Sequence, residues 1–143
     1  MDDQHKPEWI KVDEWDFVEY VDSLLRSQEA VDLEFKTARA GFPNSVWETY
    51  SSFANTDGGT IVLGIKEKNG ALFVEGLLPE QIVSYRQIIC NQLNNPDCVN
   101  VNLLTDKNIQ EVDYRGKSLL LIYVPRASRS QRPVYLTRNP LNG

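Results

Sequence analysis

Histidine, cysteine and methionine are scarce in this chain: one, two and one in 143 residues. His5 lies in a polar, acidic N-terminal stretch, and Cys90 and Cys98 form no metal-ligand spacing, which argues against zinc. Two thiols in a chain that starts with no signal-peptide pattern fit a reducing, cytoplasmic setting. Long apolar runs are missing as well. The longest, Leu119 to Val124, has the length of a strand, far short of the roughly 18 residues of a membrane span, so no membrane partner is expected. No Gly-x4-Gly-Lys-Ser/Thr occurs, so the phosphate loop of the common ATPases is absent. Finally, no acid occurs between Tyr114 and Gly143.

That last absence gives the charge its meaning. The net charge is −5, which taken alone speaks against a polyanionic partner. Yet eleven acids crowd between Asp2 and Glu34, whereas the acid-free end carries Arg115, Lys117, Arg126, Arg129, Arg132 and Arg138. Phosphate binding depends on local charge, so a net-acidic chain can still present a basic stripe. With 41% apolar residues the length suits one domain with one core.

Residues 1–26 read as a tail followed by a helix from about Glu14 to Arg26, capped by Asp13, with Trp15, Val18, Val21 and Leu25 on one face. Val31 to Lys36 alternates as a strand, with Val31, Leu33 and Phe35 on one side and Asp32, Glu34 and Lys36 on the other. After a loop, Asn44 caps a helix that buries Val46, Trp47, Tyr50, Phe53 and Ala54 and stops at Gly58-Gly59. Thr60 to Ile65 is apolar on both sides and reads as a central strand. Asn69-Gly70 turns the chain into a returning strand, Ala71 to Val74. Pro79 opens a helix to about Leu93, ended by Asn95-Pro96. Val99 to Leu104, Ile109 to Tyr114 and Ser118 to Val124 read as strands, and Pro133 to Thr137 as a short edge strand. Ile61, Leu63, Leu121 and Tyr123 are expected in the core, with Leu33 and Phe35 facing the same core.

Two segments combine into a signature: Glu29-Ala-Val-Asp-Leu-Glu34-Phe-Lys36, and Phe53-Ala-Asn-Thr-Asp-Gly-Gly59 running into Thr60-Ile-Val-Leu-Gly-Ile65. A third follows, Leu121-Ile-Tyr-Val-Pro125 with a Pro-x-Tyr at Pro133 to Tyr135. Over roughly Ser27 to Arg138 the chain resembles the AlbA-type domain of the Schlafen family, a nucleic-acid-binding module found at the front of many bacterial transcriptional regulators. The resemblance implies an α+β fold, a mixed β-sheet packed by about three helices, within residues 27–143. It also implies that further sequence follows in a longer protein.

The residues admit three uses. Arg126, Arg129 and Arg132, spaced by three and interleaved with Ser and Gln, suit phosphate contacts, and Tyr135 offers a stacking surface. With Lys36 and Arg138 they make a nucleic-acid-binding set for DNA or RNA. No base-reading motif accompanies them, so binding is expected to be backbone-led and weakly sequence-specific. The second use follows the resemblance to the Schlafen nucleases, whose acidic cluster matches Glu29, Glu34 and Glu67. Such a cluster would hold Mg²⁺ or Mn²⁺ and activate water for phosphodiester cleavage. Lys66 and Lys68 flank Glu67 and would counter that charge; an ion pair between Glu34 and Lys36 is the plain structural reading. The third use is a protein-interaction or homodimerisation module. The family was once described as a divergent ATPase, but here the glycines follow a helix, at the wrong end of its dipole for phosphate.

Overall fold

The computed structural model describes residues 32–137 together with Asp22. Its elements run β1 (Leu33–Lys36), α1 (Val46–Ala54), β2 (Gly59–Leu63), β3 (Ile65–Lys68), β4 (Ala71–Val74), α2 (Pro79–Leu93), a 3-10 turn (Asp106–Asn108), β5 (Ile109–Tyr114) and β6 (Lys117–Val124). A four-stranded mixed sheet has the order β1-β2-β6-β5, and β3 and β4 form a separate two-stranded hairpin. β1 is parallel to β2, whereas β2–β6 and β6–β5 are antiparallel. The α+β class and the mixed sheet are as expected. The described residues hold two helices rather than three. The expected first helix, Glu14 to Arg26, lies outside the described residues apart from Asp22.

Residue parity divides the core between the two faces of the sheet. Ile61, Leu63, Leu120, Ile122 and Ile109 point toward α1 and α2, where they meet Trp47, Tyr50, Phe53, Ile82, Tyr85, Ile89 and Leu93. Val62, Leu119, Leu121, Val112 and Tyr114 point the other way. Leu33 and Phe35 pack on this second face together with Leu72 and Val74 of the hairpin. They do not share the core of Ile61 and Leu63. The register explains why: Leu33 pairs with Thr60 and Phe35 with Val62, so they take those residues' side of the sheet. Tyr123, expected in the core, is half-buried.

Every residue of β2 is buried, as its apolar run implies. The strand expected through Ile65 breaks one residue earlier. Gly64, at φ +114°, turns the chain out of the sheet and into the hairpin. A side chain there would also press on Leu119, 2.9 Å away. Asn69 and Gly70 both have positive φ, 54° and 79°, the geometry that a two-residue hairpin loop demands.

Val99 to Leu104 is not a strand. Its single sheet-like contact is a bridge between Val99 and Leu136, which is also the whole of the expected edge strand at Pro133 to Thr137. Side chains take the place of a neighbouring strand. The Tyr50 hydroxyl donates to the Val101 carbonyl at 2.7 Å and accepts the Leu103 N–H at 2.9 Å. Asn102 accepts the Leu104 N–H at 2.9 Å. Backbone groups satisfied by side chains have no need of a ladder. Burial pushes the Tyr50 phenol up to about 12, against the lowering effect of the Leu103 N–H.

Candidate nucleic-acid interface

The Asn-Thr-Asp-Gly-Gly turn after α1 is the natural place to look for an anion cradle. At least three of its five N–H groups, and that of Thr60 after it, are already engaged within the chain. Asn55 N–H donates to Ser51, Thr56 and Gly58 N–H both to Phe53, and Thr60 N–H to Asp32, at 2.8–3.1 Å. The glycines serve packing. Gly58 has φ +84°, and a Cβ there would lie 2.7 Å from the Val124 carbonyl. Gly59 lies against the Phe53 ring, where a Cβ would approach to 2.7 Å. The turn therefore wedges the end of α1 against the end of β6.

Asn55 does not cap this turn by its side chain. It reaches across to the C-terminal segment: its Oδ1 accepts the Val134 N–H, and its Nδ2 donates to the Val134 carbonyl, each at 2.8 Å. The Ser51 hydroxyl donates to the same carbonyl at 2.7 Å. Asn100 grips the flanking residues, accepting the Tyr135 N–H at 2.8 Å and donating to the Pro133 carbonyl at 3.1 Å. Two asparagine amides thus read the backbone of Pro133 to Tyr135 as a neighbouring strand would.

The other end of the segment is held by Ala127, which is buried and donates its N–H to the Ala54 carbonyl at 2.8 Å. Between these anchors the chain closes a single turn. Gln131 and Arg132 N–H both donate to the Ser128 carbonyl, at 3.0 and 3.1 Å, and Gln131 Oε1 accepts the Ser128 N–H at 2.9 Å. Arg126 and Arg129 are exposed on this anchored loop, and Arg132 is half-buried. Among the described residues none of the three enters an ion pair. Tyr135 is 51% exposed although its backbone is fixed. A backbone held at both ends has little entropy left to lose on binding.

The remaining basic tail behaves differently. Arg115 is paired with Asp22 at 2.8 Å, its guanidinium 5.3 Å from the Tyr114 ring centroid. The Tyr114 hydroxyl bonds the same carboxylate. Hydrogen bonding to Tyr114 and then to Asp22 pushes the Arg115 pKa up. One N-terminal acid is therefore matched by a cation at the β5–β6 turn, not by the three arginines.

Of the carboxylates, Glu34 and Lys36 form an ion pair at 3.7 Å on β1. Lys36 Nζ also donates to the Ser45 hydroxyl at 3.0 Å. Ser45, the residue before α1, is the N-cap in place of the expected Asn44, and it gives no side-chain cap because its backbone is already helical, at φ −67° and ψ −6°. The first turn is satisfied instead by backbone, Val46 N–H to Pro43 and Trp47 N–H to Asn44. Glu67 is exposed on the hairpin, opposite Leu72. Glu29 and Arg138 lie outside the described residues. Among the described residues no three His, Cys, Asp or Glu side chains form a metal-holding group. Burial pushes the Cys98 thiol up, away from the reactive thiolate.

Reading along the sequence misses Ser51, Asn55 and Asn100 as determinants of this region. Their partners are 79 to 83 and 33 to 35 residues away in the chain. The only local signal was that Asn55 and Ser51 fall one turn apart at the end of α1.

These features define an α+β domain that displays a backbone-anchored arginine turn beside its sheet. The family model described as Schlafen, AlbA_2 matches residues 29–140. The chain belongs to that family. Among solved structures it is similar to the N-terminal domain of a RecG-related protein from Nitrosomonas europaea, whose name refers to an ATP-dependent DNA helicase. The identity is 29% and the TM-score 0.68, over 88% of this chain and 83% of that one. A Corynebacterium diphtheriae protein shares the fold at 23% identity and TM-score 0.52, over 84% of this chain and 23% of that one. A search of curated proteins returned no relative. No helix among the described residues is long and apolar enough to cross a membrane.

Proposed function

We propose that this chain is a nucleic-acid-binding module in which Arg126, Arg129 and Arg132 contact phosphates and Tyr135 stacks on a base. The observation that carries the reading is the arginine turn, anchored at Ala127 and Val134, free of ion pairs among the described residues and set in an acid-free stretch. Family membership and the helicase-related neighbour agree with a nucleic-acid role. The contacts are backbone-led, so discrimination between sequences is weak. Arg138 extends the same set, whereas Lys36 is engaged by Glu34 and Ser45, and the module fits the front of a transcriptional regulator.

The test is a titration of duplex DNA and of RNA at two salt concentrations, with and without Mn²⁺. The wild type should bind more weakly at the higher salt, because phosphate contacts release counterions. The triple variant R126A/R129A/R132A should lose affinity for every sequence alike and lower the salt slope by roughly 0.9 for each phosphate contact removed. Unchanged binding in the triple variant would refute the assignment. Cleavage that needs Mn²⁺ and disappears in Glu34→Ala would replace it with the nuclease reading.

A further inference from the structure

The β3–β4 hairpin carries a second constellation that the arginine turn does not use. Its inward side is fixed by Ile65, Leu72 and Val74, which pack on the second face of the main sheet. The register then settles what its other side presents. Lys66 stands opposite Phe73, and Lys68 opposite Ala71. Lys66, Lys68, Ala71 and Phe73 therefore share the outer face, because side chains alternate along a strand. Glu67, opposite Leu72, belongs to the other side.

Three observations make this face unusual. Phe73, the one aromatic residue of the hairpin, is 52% exposed, although an apolar ring gains nothing from water. Lys66 and Lys68 are both exposed, and neither enters an ion pair among the described residues. The orientation of the face is set twice over, by its packed underside and by the exits at Gly64 and Gly76, where the N–H groups of Glu75 and Gly76 converge on the Gly64 carbonyl at 2.9 and 3.0 Å. An aromatic ring flanked by two cations on a rigid ribbon matches what an unpaired nucleotide requires. The base stacks on the ring, and the neighbouring phosphates meet the ammonium groups. A protein partner would have to desolvate two unpaired lysines beside the ring, so the charge favours a polyanion.

We infer that the outer face of the β3–β4 hairpin is a stacking site for single-stranded nucleic acid, with Phe73 holding a base and Lys66 and Lys68 its flanking phosphates. The inference rests on the nucleic-acid reading proposed above and adds to it a preference for unpaired over duplex strands. Duplex DNA keeps its bases stacked on one another and has none to offer the ring.

The experiment measures fluorescence anisotropy of the whole chain with labelled oligothymidylate of about 16 nucleotides, the upper end of a single-module site, and with a duplex of equal length. Phe73→Ala should weaken single-strand binding about tenfold and leave duplex binding within about twofold. Phe73→Trp should restore it. Phe73→Leu, which keeps the apolar surface but has no ring face, should behave as alanine does. K66A/K68A should lower the single-strand salt slope by roughly 0.7 for each lysine removed. The inference is overturned if Phe73→Ala binds the single strand as the wild type does, or if Phe73→Leu matches the wild type. It is also overturned if Phe73→Ala instead abolishes self-association in sedimentation, which would make the face a contact between copies. Loss of all binding in R126A/R129A/R132A with a silent Phe73→Ala would sink the hairpin site and leave the arginine turn standing. A wild type that binds neither probe would sink both.

Discussion

The turn after α1 and the turn after β6 make an instructive pair. Both are short and polar, and they meet directly, with Ala127 N–H donating to the Ala54 carbonyl at 2.8 Å. In Asn55 to Gly59 the Asn55 amide is spent on Val134, and the N–H groups of Asn55, Thr56 and Gly58 are spent on the helix end. In Ser128 to Arg132 the backbone closes on itself, with the Arg129 side chain left outside and Arg132 half-buried. The more family-specific motif is thus a structural clamp, and the less distinctive one is the candidate for contact. What separates them is where the hydrogen-bond capacity is consumed, and composition does not report that.

The comparison would be broken most severely at Gly58. Gly58→Ala should destabilise the fold by about 3 kcal/mol, since it adds left-handed strain to a clash with the Val124 carbonyl. Urea denaturation would measure it, and a loss below about 1 kcal/mol would mean that the wedge is slack. Asn55→Ala should cost about 2 kcal/mol, because it leaves a buried Val134 N–H without a partner. Hydrogen exchange should then accelerate at Val134 and Tyr135 while β2 and β6 stay protected. Equal acceleration everywhere would show that Asn55 is not a local clip.

The buried side of the comparison can also be sharpened by pH. The Tyr50 phenol is held up at about 12, above its ordinary value of 10.0. Its neutral form is the one the fold favours, so this stability is complete below pH 10 and is lost as pH rises from there through about 12. The Tyr50→Phe variant should be less stable at neutral pH by about 1 kcal/mol, the worth of the lost hydroxyl contacts. Its stability should then fall less steeply than that of the wild type above pH 10. Parallel curves for the two proteins would contradict the burial argument. The smallest effect is expected on the exposed turn. R126A/R129A/R132A should leave stability within about 0.5 kcal/mol while weakening nucleic-acid binding. A large loss of stability there would place the arginines inside the fold's own network rather than outside it.

Local patterns were enough for the parts of the fold that local physics controls. The Asn69-Gly70 hairpin, the span of α2 from Pro79 to Leu93, and the β5–β6 pair around Arg115-Gly116 are all visible in turn residues and apolar spacing. Local patterns failed where a distant partner decided. Val99 to Leu104 has a strand's composition, but Tyr50 and Asn102 satisfy its backbone. Leu33 and Phe35 share the face of Leu121 and not that of Ile61 and Leu63, because alternation tells which residues of one strand share a side but not which side of the sheet they take. Asn44 has the residue type of a cap before an apolar run, but the helical backbone begins at Ser45 and backbone carbonyls close the first turn.

By itself the sequence determined the class, the family signature and the separation of charge along the chain. These follow from residue type and spacing, which short-range geometry translates directly into helix, strand and turn. Only the tertiary structure decided which polar groups are consumed and which remain available. Asn55 and Asn100 became clamps because Val134 and its neighbours come to lie beside them. Arg129 stayed outside because the clamps on either side hold its turn on the surface. Hydrogen bonds between residues far apart in the chain depend on where packing brings them together, and no local pattern in the sequence encodes that meeting.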